Sequence, residues 1–162
     1  KGICYGWLDA PLADDYPRYA QQIISRLSEI KLDKIYSSPS QRCVTLAEEI
    51  AQMRALTVEK DERLRELHFG AWEGLSWEAI YERESGRRWF ADYWHAQTEE
   101  GESHDDLLHR VSSFEAERDR RLETLLVTHA GVIRAYRILL GHLEPDEALA
   151  QSVNFGEIYK YE

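Results

Sequence analysis

The stretch Leu122-Glu123-Thr124-Leu125-Leu126-Val127-Thr128-His129-Ala130-Gly131-Val132-Ile133-Arg134 decides the fold. Leu125-Leu126-Val127 is a short apolar run, and residues 122–128 read as a buried strand. From Val132 the pattern changes at once to a helix that runs to Leu140 and stops at Gly141. A buried strand feeding straight into a helix is the building unit of a parallel sheet. Such turns, beyond the carboxyl ends of strands, are also where open α/β sheets hold ligands. His129 stands on this turn, and Gly131 lets a backbone come close to whatever binds there.

Working outward, the same unit recurs upstream. Lys34-Ile35-Tyr36-Ser37-Ser38 is β-prone and passes through Pro39-Ser40-Gln41-Arg42 into a helix carrying Val44, Ala47, Ile50, Ala51 and Met53. Leu56-Thr57-Val58 reads as a further short strand, and Glu157 to Tyr161 as a closing one. Apolar residues at 19, 23, 24, 27 and 30 predict a helix from about Tyr16 to Ile30, after a turn-rich loop over 1–14. Ser103 and Asp106 form a capping-box pattern ahead of a helix reaching about Arg120. Residues 61–100 differ in character, holding Trp72, Trp77, Trp89 and Trp94 among many acids, with helices expected near 76–84 and 87–96. The expected architecture is α/β: a three-layer sandwich with a mostly parallel sheet and helices on both faces. It forms one domain over 1–162, with 61–100 as a cap-like insertion.

Composition narrows the chemistry. A length of 162 residues suits one domain with a substantial core. A net charge of −10 argues against a nucleic-acid partner, which would need a clustered basic surface. No apolar run reaches the roughly 20 residues of a membrane span, so no membrane partner is expected. Cys4 and Cys43 make neither a CxxC pair nor a disulfide framework, which agrees with a cytoplasmic location. No metal or other cofactor is expected either, because HExxH and Cys/His ligand clusters are missing from the sequence, as is GxSxG. On so acidic a chain, an anion site has to be a local pocket of cations and backbone N–H groups.

Both strand-to-helix turns offer that chemistry. Arg42 carries a planar fork able to grip two phosphate oxygens, at the start of a helix whose dipole favours an anion. His129 ends the strand read as the most buried; its plain alternative is a satisfied core histidine. The dense loop Arg63-Leu64-Arg65-Glu66-Leu67-His68-Phe69-Gly70-Ala71-Trp72-Glu73-Gly74 adds a candidate general acid, with Glu66 and Glu73 equally eligible.

Taken in order, four segments resemble the histidine phosphatase superfamily, whose fold is phosphoglycerate mutase-like. They are Ser37-Ser38-Pro39 with Arg42, Glu66 to Gly74, Gly101-Glu102-Ser103, and Val127 to Arg134. The resemblance implies that Arg42 belongs to a phosphate pocket, that Glu66 is the proton donor, and that His129 is the second catalytic histidine. It implies substrate contacts from Ser103 and Ala130 also. The loop Gly2-Ile3-Cys4-Tyr5-Gly6-Trp7-Leu8-Asp9-Ala10-Pro11-Leu12 is most similar to that of the alpha-ribazole phosphatases, which brings Cys4, Tyr5 and Gly6 to the substrate.

The implied reaction removes phosphate from a small phosphorylated substrate, alpha-ribazole 5′-phosphate or adenosylcobalamin 5′-phosphate in cobalamin biosynthesis. A phosphoglycerate mutase, a broad-specificity phosphatase and a non-catalytic phosphate-ligand binder are the alternatives. The family's nucleophile is the histidine of an Arg-His pair closing a first strand. No such pair occurs here, since His68, His95, His104, His109 and His142 stand in other contexts. The resemblance therefore places that strand ahead of Lys1.

Overall fold

The computed structural model describes residues 2–161; Lys1 and Glu162 lie outside the described residues, as does any strand ahead of Lys1. Three parallel strands form the sheet: β1 (Lys34–Ser37), β2 (Val58–Lys60) and β3 (Thr124–Val127), in the order β2-β1-β3. Register pairs Ile35 with Val58 on one side and with Leu125 on the other. All three strands point the same way because each connection between neighbours crosses back over the sheet.

Alternation along the strands builds the layers. Ile35, Val127 and Leu125 face the cluster formed by α1 (Tyr16–Leu27) and α2 (Gln41–Arg54), through Ile23, Leu27, Ala47 and Ile50. Tyr36 and Leu126 face the opposite cluster, where α5 (His104–Glu117) and α6 (Ala130–Leu139) supply Leu107, Val111, Phe114, Val132 and Tyr136. Helices therefore cover both faces, as the sequence predicts, and the period of two explains why. A short helix α7 (Pro145–Ala150) follows α6.

Residues 61–100 contain two 3₁₀ turns (Glu62–Leu64 and Gly70–Trp72) and two short helices, α3 (Trp77–Tyr81) and α4 (Glu84–Ala91). Trp72 and Trp89 are fully buried in the same cluster as α5 and α6. Their rings meet edge-on at 5.7 Å, a favoured aromatic geometry. The segment is thus packed onto the main core rather than standing apart from it. The capping box on α5 is formed, with Ser103 Oγ accepting from Asp106 N–H and the Asp106 carboxylate accepting from Ser103 N–H.

Four expectations need correction. The strand foreseen at 56–58 starts at Val58, because Ala55 adopts a left-handed conformation and Leu56 N–H still bonds to Ala51 O, closing α2. The second cap helix ends at Ala91 instead of 96, with Asp92 leaving the helical region. The most buried strand is β1 and not β3: Ile35 and Ser37 have no exposed surface, whereas Leu125 and Leu126 are only half-buried. The closing strand at 157–161 is not formed. Residues 153–161 and β3 both line a cavity of about 1160 Å³, and among the described residues no ladder joins them.

Candidate active site

That cavity continues past the end of β3 to a pocket where Arg42, Glu66, His129 and Ala130 all line the wall. Arg42 comes from the first turn of α2 and His129 is the N-cap residue of α6, so the two strand-to-helix turns meet there. Arg42 Nη2 donates to His129 Nδ1 at 3.3 Å and to the Gly6 carbonyl at 2.8 Å. A guanidinium can only donate, which makes Nδ1 the acceptor and leaves the proton on Nε2. Nε2 in turn donates to Ser38 Oγ at 2.8 Å. Burial, reinforced by the charges of Arg42, Arg110 and Arg65, pushes the His129 pKa down to about 3. His129 is accordingly a neutral imidazole with a fixed tautomer at neutral pH.

Cys43 lies 3.6 Å from His129 Nε2, which resembles a Cys/His nucleophile pair. The chemistry opposes that reading. Burial outweighs the favourable charge of Arg42 and pushes the thiol up to about 12, so thiolate is scarce.

Geometry separates the two acids that the sequence leaves equal. Glu66 Oε1 accepts from the N–H groups of Leu67 and Gly131, both at 3.0 Å. Those bonds and the charges of Arg134 and Arg42 favour the carboxylate, but burial of the carboxyl dominates and raises its pKa. A carboxyl whose burial favours its protonated form, beside an arginine and an imidazole, is suited to proton donation. Glu73 instead has Oε1 accepting from Trp7 N–H at 2.8 Å and Phe69 N–H at 3.2 Å, tying two loops together. A Cβ at Gly131 would overlap Glu66 Oε1, so a larger residue there has to displace the Glu66 carboxyl.

The remaining expected contacts divide. Tyr5 and Gly6 line the pocket, and the carbonyls of Gly6 and Leu8 hold Arg42. Cys4 does not reach it: the residue has no exposed surface and packs in the core with Leu64 and Trp72. Ser103 is also kept away, buried and engaged by Asp106 as the α5 cap. The anion-binding start expected for α2 is partly taken, because Gln41 N–H donates to Asp9 Oδ1 at 3.0 Å.

These features agree with what similarity shows. The description "Histidine phosphatase superfamily (branch 1)" matches residues 1–162 of the chain. This chain belongs to the histidine phosphatase superfamily. It is 34% identical over 146 residues to phosphoserine phosphatase 1 of Hydrogenobacter thermophilus, spanning 86% of this chain and 69% of that protein. An Escherichia coli K-12 structure provisionally named an alpha-ribazole-5′-P phosphatase superposes with a TM-score of 0.86 at 25% identity, covering 96% of this chain and 79% of that one. The mycobacterial glucosyl-3-phosphoglycerate phosphatase gives 0.78 at 26% identity, covering 92% and 76%. As a member of the histidine phosphatase superfamily, the chain is a phosphatase-class enzyme for small phosphorylated substrates.

Several supporting residues escape sequence reasoning. Arg110, on α5, donates to the carbonyls of Arg63, Arg65 and Glu66 at 2.6–2.8 Å while pairing with Glu102. Glu102 also accepts from His68 N–H at 2.9 Å. This pair clamps the loop that presents Glu66. Glu102 stands in one of the four resembling segments, but nothing in the sequence ties it to Arg110 eight residues on. Ser38 and Glu73 are missed as partners for the same reason, their roles being created by contacts distant in sequence.

Proposed function

We propose that the protein hydrolyses a small phosphomonoester through a phosphohistidine, with Glu66 shuttling the proton. The carrying observation is the Glu66 carboxyl, raised by burial and fixed on Gly131 N–H in the pocket that holds Arg42 and His129. In this reading a histidine of the family's first strand attacks phosphorus. The P–O ester bond breaks as the Glu66 proton passes to the leaving oxygen. Glu66, now a carboxylate, then takes a proton from water; the new P–O bond forms and the P–N bond breaks. Arg42 holds the phosphoryl oxygens as a preorganised donor, and neutral His129 joins it by turning its Nε2–H from Ser38 Oγ to a phosphoryl oxygen.

Alpha-ribazole 5′-phosphate is one candidate for the substrate, supported by the 2–12 loop and by the Escherichia coli neighbour. Phosphoserine is a second, supported by the 34% identity to the Hydrogenobacter enzyme. The test is a rapid-quench experiment on the product of the complete reading frame with ³²P-labelled substrate. An acid-labile, base-stable phosphoprotein that turns over at the steady-state rate is expected. Turnover without such a species would overturn the covalent route, and binding without turnover would leave a phosphate-ligand binder.

A further inference from the structure

The buried and half-buried arginines among the described residues are almost all spent on partners. Arg42 is held by the carbonyls of Gly6 and Leu8, and Arg63 by Asp61 and Glu117. Arg110 is held by Glu102, Arg118 by Glu115, and Arg137 by the carbonyls of Gln151 and Ser152. Arg134 is the exception. Its Nε is buried without a hydrogen-bond partner, and none of the ion pairs formed among the described residues includes it. Leaving a buried donor unpaired is costly, more so for a charged group, so a fold retains one where something else fills the bond.

Its position indicates what that is. Arg134 follows Ala130 by four residues on α6 and so shares its face; both line the pocket, with Phe69, Trp77 and Tyr93. Its charge acts at Glu66 and Tyr93, opposing the effect of burial there, and at His104, adding to it. It is not among the charges acting on His129, where Arg42 leads. Arg134 thus stands near the acid, one helical turn beyond Ala130 on the pocket-lining face of α6. In the hydrolytic reading the leaving group lies beside Glu66, because the acid has to meet the ester oxygen.

We propose that Arg134 is a specificity residue that pairs with a second anionic group, carboxylate or phosphate, on a small leaving group walled by Phe69, Trp77 and Tyr93. This rests on the hydrolytic reading of the pocket and adds a substrate class to it. A guanidinium fork matches either anion in a bidentate pair. A site built around such a pair discriminates against the analogue lacking it.

The sharpest probe is O-phosphoserine against O-phosphoethanolamine, which differ by the carboxylate alone. In the complete protein, kcat/KM should favour phosphoserine by roughly 10- to 100-fold. Arg134→Gln should collapse that ratio, and Arg134→Lys, keeping charge without the fork, should give an intermediate value. Ethylene glycol bisphosphate, assayed alongside, shows whether a phosphate serves as well as a carboxylate. A wild-type ratio near one, an unchanged ratio in Arg134→Gln, or a preference for alpha-ribazole 5′-phosphate over phosphoserine would overturn the assignment. Should Arg134→Gln fail to fold by circular dichroism, the wild-type and Arg134→Lys ratios decide alone. If not even p-nitrophenyl phosphate turns over, the hydrolytic reading fails instead; calorimetric affinities for the same two ligands then show whether Arg134 selects the carboxylate.

Discussion

Arg42 and His129 are set in place by the sheet, whereas Glu66 is set in place by a loop. The first two ride on strand-to-helix turns of adjacent parallel strands, so the register of β1 against β3 largely fixes their separation. Glu66 has no such support. Its loop is held by Arg110 gripping the carbonyls of Arg63, Arg65 and Glu66, by the Arg110–Glu102 pair, and by the bond from Gly131 N–H. Groups borne by regular structure inherit precision from the backbone ladder. A group on a loop needs its own scaffold of charged hydrogen bonds, and that scaffold is where the site can be loosened without touching the chemistry.

The comparison can be broken most severely at the acid. Glu66→Gln keeps an acceptor for Gly131 N–H but has no proton to give, so kcat for an alkyl phosphate should fall about 10²–10⁴-fold. The same change should flatten the alkaline limb of the pH–rate profile, since activity there declines as Glu66 ionises through its raised pKa. A limb that survives the substitution would move the acid elsewhere. Next in size is the sheet-borne pair: His129→Ala or Arg42→Lys should cost about 10²–10³-fold in kcat with the circular dichroism spectrum unchanged. Retained turnover would remove either residue from the site.

The scaffold itself comes third. Arg110→Gln should lower kcat about 10-fold or more and reduce unfolding free energy by about 1–3 kcal/mol, because charge-assisted bonds to the Glu66 loop are lost. A positioning role further requires that the pH–rate profile shift with it, since Glu66 would relax toward solvent. If stability falls but the profile does not move, the clamp is only structural. The smallest effect concerns acid. His104 is pushed down to about 4 and His129 to about 3, in each case chiefly by burial. An unfolded histidine titrates near 6.5, so between that pH and about 4 the unfolded chain binds more protons and stability falls as pH falls. Denaturant midpoints should therefore decline from pH 7 to pH 4.5. Replacing His104 by Phe should remove part of that slope.

How much could be read from the residues follows the same division. The parallel units were legible at Lys34–Ser37 and Thr124–Val127 because an apolar run passing into helical spacing is a local signal. His129 and Arg42 were legible with them, being attached to those turns. Glu66 and Glu73 were indistinguishable, since what separates them is burial and the N–H groups of Trp7, Phe69 and Gly131, none of which a local pattern encodes. Cys4 was misplaced for a related reason: a motif gives a residue's order along a loop but not which way its side chain turns, and here it turns into the core. Residues 157–161 carried a genuine β-prone pattern, yet a strand needs a neighbour to pair with, and none of the described strands pairs with them.

Gly131 has a consequence for anyone who would re-engineer this molecule. With hydrogen alone at that position, helix and acid approach to a single hydrogen bond, and the site has no slack there. Loop 61–75 and the start of α6 are in effect one part with two addresses in the chain. A chimera that borrows that loop from a relative should therefore carry the relative's 129–134 turn with it. An alanine at 131 should be accepted only with the Glu66 carboxyl turned aside, and so at a cost in turnover.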